Sequence, residues 1–110
     1  MRPLIALLLA GCASQAPDVL NQAKAAVDGR ASYANYTGWD RRVLQVGDKG
    51  NCVAFAYSYY DEAQKRGVPL MMRSCTLRNG EEHAFVFSLD GWALDVRHDR
   101  VVPLSEVGCR

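Results

Sequence analysis

Apolar and polar positions change their period several times along this chain, and each change predicts an element. From Asp18 to Asp28, Val19, Leu20, Ala23 and Val27 recur at helical spacing, with Asp18 as cap after Pro17 and Gly29 as stop. Tyr33, Tyr36 and Trp39 follow at i, i+3 intervals broken by Thr37-Gly38, which predicts an irregular or helical piece. Its aromatics are expected in the core rather than along a groove, as aromatics at that spacing usually are. Arg41 to Val46 reads as a short strand or extended approach, closed by Gly47-Asp48-Lys49-Gly50. A second helix begins near Asn51 or Cys52 and runs to about Arg66, with Gly67 as a left-handed stop and Pro69 beyond. Cys52, Ala56, Tyr59 and Ala63 share its inward stripe, while Asp61, Glu62, Lys65 and Arg66 are expected on the outer face at its far end.

Period-two patterning then takes over. Leu70 to Leu77 ends at the hairpin signal Arg78-Asn79-Gly80, His83 to Leu89 is a second strand, and Trp92 to Val96 is a third after Asp90-Gly91. The tail from Val101 adds a short strand and then a turn or helix opening at Pro103. A helix packed on an antiparallel meander is an α+β design.

Composition narrows the class. With 110 residues, 49% hydrophobic, 23% charged and a formal charge of +1, the chain suits one small globular domain and offers no electrostatic footprint for nucleic acid. The start, Met1-Arg2-Pro3 followed by the apolar run Leu4 to Ala10, is too short to span a bilayer. It ends in Leu9-Ala10-Gly11-Cys12, which resembles the lipobox of bacterial lipoproteins. That resemblance implies a signal peptide over 1–11, cleavage before Cys12 and acyl chains on Cys12. A tether and N-terminal helix then fill 12–30, ahead of a domain over 31–110. The implied location is the bacterial envelope, anchored by lipid and facing the periplasm or the exterior.

Export changes the meaning of the cysteines. If Cys12 is lipidated and Cys52 is a nucleophile, Cys75 and Cys109 remain to pair in an oxidising compartment, whereas the competing pairings would use up Cys52. No Cys-x-x-Cys or His-x-x-x-His spacing marks a metal site, and none is expected.

Cys52 itself carries two readings. A thiol in the first turn of a helix lies against unpaired N–H groups and the positive end of the helix dipole, which favour thiolate. A buried Cys is also simply a small hydrophobe. What tips the balance is the order Cys52, His83, Asp95: a helix start, one strand and the next strand can deliver a thiol, an imidazole and an orienting carboxylate.

Gly50-Asn51-Cys52-Val53-Ala54-Phe55-Ala56, Glu82-His83-Ala84-Phe85-Val86 and Gly91-Trp92-Ala93-Leu94-Asp95 together resemble the transglutaminase-like branch of the papain-like cysteine enzymes. The likeness is greatest to the bacterial transglutaminase-like cysteine peptidases and covers roughly residues 44 to 104. It implies a papain-like/transglutaminase-like core, with Cys52 as nucleophile, His83 as general base and acid, and Asp95 as the orienting carboxylate. Two departures stand out: Val53-Ala54 replaces an acidic residue often found after the Cys, and Val96 follows Asp95 where Asn is common.

For the oxyanion hole, the Cys52 N–H is one expected donor and Gln45 the candidate for the other, with Asn51 and Trp39 as rivals. Trp39 and Trp92 are candidates for a substrate groove. Strand register is decisive for the carboxylate. A tight two-residue turn at Asp90-Gly91 would pair Val86 with Asp95 and turn Asp95 away from His83. A three- or five-residue loop would pair Phe85 with Asp95 and make the two diagonal neighbours, about 7–8 Å apart or less. His98, in the run Arg97-His98-Asp99-Arg100, is expected in a solvated turn.

Two functions fit these features. One is a cysteine peptidase or amidase, or an acyl transferase, acting without cofactors on peptides, protein tails or peptidoglycan stem peptides. The other is a non-catalytic lipoprotein of the same fold that binds a peptide or an envelope partner.

Overall fold

The α+β class holds: among the described residues, two helices pack on one face of a four-stranded antiparallel sheet. The computed structural model describes residues 15–110, so the signal-peptide stretch and Cys12 lie outside the described residues. Helix α1 spans Asp18–Asp28 and helix α2 spans Cys52–Lys65. Between them, β1 (Ser32–Tyr33) and β2 (Lys49–Gly50) form a short parallel pair. The main sheet is a meander of β3 (Met71–Thr76), β4 (Glu82–Phe87), β5 (Trp92–Leu94) and β6 (Val102–Pro103), followed by a 3-10 turn at Leu104–Glu106. Among the described residues no helix is long and apolar enough to cross a membrane.

Pleating divides the sheet into two faces, and each buries a separate set of side chains. Ala84, Val86 and Leu94 meet Leu20, Ala23 and Val27 of α1 and Ala54, Phe55, Tyr59 and Ala63 of α2. Phe85, Ala93 and Val102 point the other way, where Leu77 and Val107 cover them. The C-terminal segment is fastened over that second face. Cys75 and Cys109 form a disulfide, Leu77 bridges Cys109, and Arg110 N–H donates to the Thr76 carbonyl at 3.0 Å.

Two charged residues are buried against the periodicity. Lys24, 2% exposed, donates to Asp28 Oδ2 at 2.8 Å and to the Tyr59 hydroxyl at 2.9 Å, which joins α1 to α2. Glu62, expected on the outer face, is 6% exposed because Arg30 and Arg66 each reach it at 2.5 Å. Those guanidinium groups oppose its desolvation and hold its carboxyl down at about 2. Arg30 also donates to the Leu44 carbonyl at 2.7 Å, and Leu44 N–H donates to Ser58 Oγ at 2.8 Å. The approach to α2 is thereby tied down without becoming a strand. Asp18 proves to lie in the first turn of α1, with Pro17 as the capping position and no side-chain cap.

The disulfide closes a segment of 34 residues in sequence separation. Replacing both cysteines by Ser is expected to lower the unfolding free energy by about 4 kcal/mol on the chain-entropy account. Urea denaturation checks this; an unchanged midpoint would mean that the tail is held by its backbone hydrogen bonds alone.

Candidate active site

The thiol is placed by what precedes it. Gly50 carries no side chain at a point where a Cβ would come within 2.8 Å of Ala54 Cβ and the Leu44 methyls. Asn51 caps α2: its Oδ1 accepts from Ala54 N–H at 3.2 Å, while its Nδ2 donates to the carbonyls of Tyr36 at 3.1 Å and Gly38 at 3.0 Å. Cys52 is therefore the first residue of the helix, and its N–H has no acceptor among the described residues. It is a free thiol, partly exposed.

The loop between β4 and β5 decides the position of the carboxylate. Ser88 N–H donates to the Trp92 carbonyl at 2.8 Å and Gly91 N–H to the Ser88 carbonyl at 3.0 Å, so the loop holds Leu89, Asp90 and Gly91. Gly91 takes a φ of 93° there, a conformation open chiefly to glycine. Val86 pairs with Leu94 and Phe87 with Ala93. Continued by one residue, that register sets Phe85 across from Asp95. It is the longer-loop alternative, and it puts Asp95 beside His83.

His83 Nε2 and Asp95 Oδ1 are 2.5 Å apart, and both side chains are buried. With Nε2 engaged by the carboxylate, Nδ1 is the ring nitrogen left for the thiol. The ring also stacks on Phe85, with centroids 6.2 Å apart. The run after Asp95 is a turn whose Arg97, Asp99 and Arg100 side chains are exposed. Arg97 N–H donates to Asp95 Oδ1 at 3.2 Å, as in an Asx turn, and His98 Nε2 lies 3.7 Å from Asp95 Oδ2. The expected solvated turn is present, with the His98 side chain itself half-buried within it.

Charge distribution follows from these contacts. Burial would raise the Cys52 pKa, but the His83 imidazole and the N–H groups of Ala84 and Val53 outweigh it, and the net shift is downward. Burial would likewise strip the proton from His83, yet Asp95 and Cys52 raise its pKa to about 9. Both shifts favour the thiolate–imidazolium form of the pair over the neutral one. Burial and the neighbouring thiol both keep the Tyr33 hydroxyl protonated.

A cavity of about 630 Å³ opens in front of the sulfur. Tyr33, Tyr36 and Trp39 line it together with Glu81, Glu82 and Arg97, and Tyr33 lies beside Glu81 and Arg97. The expectation that these aromatics belong to the core is overturned, for they are 47%, 40% and 52% exposed. Hydrogen bonds hold them there. Tyr36 bonds to Asp40 and accepts from Arg42, while Trp39 Nε1 donates to the Tyr57 hydroxyl at 3.2 Å.

The candidate oxyanion donors do not fit this geometry. Gln45 does not line the cavity, and its amide donates to the Val43 carbonyl at 3.1 Å. Asn51 spends both amide hydrogens on the backbone of the aromatic segment, and the Trp39 indole is spent on Tyr57. Trp92 is also not at the cavity; it packs half-buried against the helix-side core. Sequence reasoning missed Glu81, Glu82 and Arg97 as lining residues. The one available signal was that Glu81 and Glu82 directly precede His83.

Among the described residues no cluster of His, Cys, Asp and Glu is arranged to hold a metal ion. The fold and the convergence of Cys52, His83 and Asp95 define an α+β chain with the parts of a thiol active site. No protein-family profile matches the chain, and no curated protein matches it significantly.

The pKa directions predict how alkylation of Cys52 by iodoacetamide depends on pH. The thiolate forms as pH rises through a value below the ordinary range of a thiol, and the ion pair persists until His83 loses its proton near 9. Alkylation therefore sets in at lower pH than for an ordinary thiol. In His83→Ala the largest lowering contribution is gone and only the Ala84 and Val53 N–H groups still oppose burial, so the profile moves upward, slowing the reaction at pH 7 by about tenfold per unit moved.

Asn51→Ala should cost about 2 kcal/mol or more, from the lost cap together with two bonds to carbonyls. Urea denaturation measures the loss. Faster hydrogen exchange confined to the helix start and residues 36–39 would locate it.

Proposed function

We propose that the protein is a cysteine hydrolase of the bacterial envelope, with a papain-like/transglutaminase-like core, acting on peptide or peptidoglycan-type amides. The observation that carries this reading is the contact chain from a free thiol at a helix start to His83 and on to a buried Asp95. Such a chain supplies a nucleophile, a proton carrier and an orienting group.

In the proposed reaction the Cys52 thiolate attacks the carbonyl carbon, and a C–S bond forms. Negative charge moves to the carbonyl oxygen, which the free Cys52 N–H is placed to receive. The His83 imidazolium gives its proton to the amide nitrogen as the C–N bond breaks, leaving a thioester on Cys52 and a free amine. Water then attacks the thioester while neutral His83 takes its proton. The thiol leaves as thiolate, a carboxylic acid departs, and the imidazolium is restored. An amine in place of water gives acyl transfer through the same steps. Asp95 keeps Nε2–H directed toward itself, so that Nδ1 faces the sulfur.

The lipobox resemblance at Leu9-Ala10-Gly11-Cys12 supports a lipid anchor at Cys12, and the Cys75–Cys109 disulfide accords with an oxidising compartment. Peptides, protein tails and peptidoglycan stem peptides are the amides available there.

Incubation of the full chain with a peptide library and with isolated stem peptides, followed by mass spectrometry, tests the proposal. Cleavage or transfer that Cys52→Ala abolishes and His83→Ala reduces by about a hundredfold or more is the expected result. A Cys52 that alkylates no faster than a free thiol, together with no cleavage, would remove the enzyme reading.

A further inference from the structure

The cleft beside Cys52 carries a charge that the reaction itself does not require. On its floor, Ser74 lies across from Ala84 in the β3–β4 register, and Thr76 lies across from Glu82. Glu82 therefore shares a sheet face with Ala84, the face that α2 packs on and whose Ala84 N–H faces the thiol. The Glu82 carboxylate accepts one hydrogen bond, from Thr76 Oγ1 at 2.8 Å, and has no cationic partner among the described residues. Its neighbour Glu81 is already engaged, by Arg97 at 3.0 Å and by the Asn79 amide at 2.6 Å.

The remaining lining adds no compensating charge. Residues 33–39 contribute Tyr33, Asn35, Tyr36, Thr37, Gly38 and Trp39, and β3 contributes Ser74. The thiolate and the Asp95 carboxylate share one imidazolium, and Glu81 pairs with Arg97. Asp95 is buried behind the ring, so Glu82 is the lining carboxylate without a cationic partner among the described residues, in a cavity that exposed aromatic rings also line, within a chain whose formal charge is +1. A carboxylate and aromatic rings lining one cavity can both attract a cation that enters it, by Coulomb attraction and by cation–π contact.

We propose that this cleft selects amides carrying a cationic side chain beside the scissile bond, seated against Glu82 and the rings of Tyr36 and Trp39. The proposal rests on the hydrolase reading for its substrate but not for its electrostatics, and the two are tested apart. The chemical class is a primary ammonium or a guanidinium, from a lysyl or arginyl peptide or from a diamino acid in a stem peptide.

The first arm uses charged thiol reagents on the full chain. Rates of Cys52 modification are measured with the trimethylammonium and sulfonate forms of ethyl methanethiosulfonate, and their ratio is divided by the same ratio for 2-mercaptoethanol. The expected preference for the cation is about fivefold or more. Glu82→Gln should bring the ratio to within about twofold of the reference, and Glu82→Lys should invert it. Because Glu82 is exposed, both variants are expected to fold, and circular dichroism checks this. A native ratio equal to the reference, or one untouched by both substitutions, overturns the proposal.

The second arm compares turnover of peptides that differ only in lysine, arginine, norleucine or glutamate at the residue before the cleaved bond, alongside a stem peptide with a diamino acid. A lower KM for the cationic members, lost in Glu82→Gln, supports the proposal, and whichever source is cleaved identifies the ligand. Equal turnover of lysine and norleucine peptides overturns it. If nothing is cleaved while the reagent ratio holds, the hydrolase reading fails and the cation-selecting cleft stands.

Discussion

Close approach of backbone to helix at Gly50 is the constraint on which the site depends. Where a Cβ would strike Ala54 and Leu44, the chain passes directly beneath the first turn of α2. That lets Asn51 serve two masters at once: its oxygen caps the helix and its nitrogen holds the backbone of residues 36–38. Gly-Asn-Cys is thus a structural unit in its own right. The glycine sets the distance, the asparagine joins helix to cavity wall, and the cysteine inherits a fixed position with an uncommitted N–H. A side chain at 50 would move all three together.

Electrostatics within the site follow from pairing rather than from exposure. His83 and Asp95 are almost wholly buried, and an isolated charge at either position would be expensive. The imidazolium lies between the thiolate and the carboxylate and offsets the cost of burial for both, leaving the three with one net negative charge. Burial opposes every one of these charges, yet the short contacts turn the balance, lowering the thiol and raising the imidazole. Asp95 Oδ2 is the exception to full satisfaction: it is buried without a hydrogen bond, and His98 lies just beyond bonding distance.

Much of this was legible in the chain, and the rest failed for identifiable reasons. Helix α2 and its stop at Gly67 were marked by periodicity and by a glycine that does adopt a positive φ of 82°. Strands β3, β4 and β5 were legible to within a residue or two of their ends, because alternation and turn residues agreed, whereas the two-residue pair β1–β2 is too short to carry a pattern. Tyr33, Tyr36 and Trp39 deceived because spacing reports a shared face but not what covers it; here the shared face borders a cavity. Glu62 was misplaced because its partners lie elsewhere, with Arg30 far away in sequence. Gln45 and Asn51 show a similar limit. A carboxamide near a nucleophile looks available until its hydrogens are assigned, and these were already engaged by backbone. Strand register could be posed as two alternatives but not chosen, since Asp90-Gly91 admits either loop length and only the Ser88–Trp92 bond selects one.

That loop has a bearing on how related chains would lose or keep the chemistry. Leu89 and Asp90 are exposed, yet the core fixes the length of the loop as firmly as the site does. Dropping one residue would turn β5 by half a pleat, sending Leu94 and Ala93 to the wrong faces while aiming the Asp95 carboxylate out of the imidazole's reach. Connector length is thus held by folding and by chemistry together, and a chain that shortened it would forfeit both.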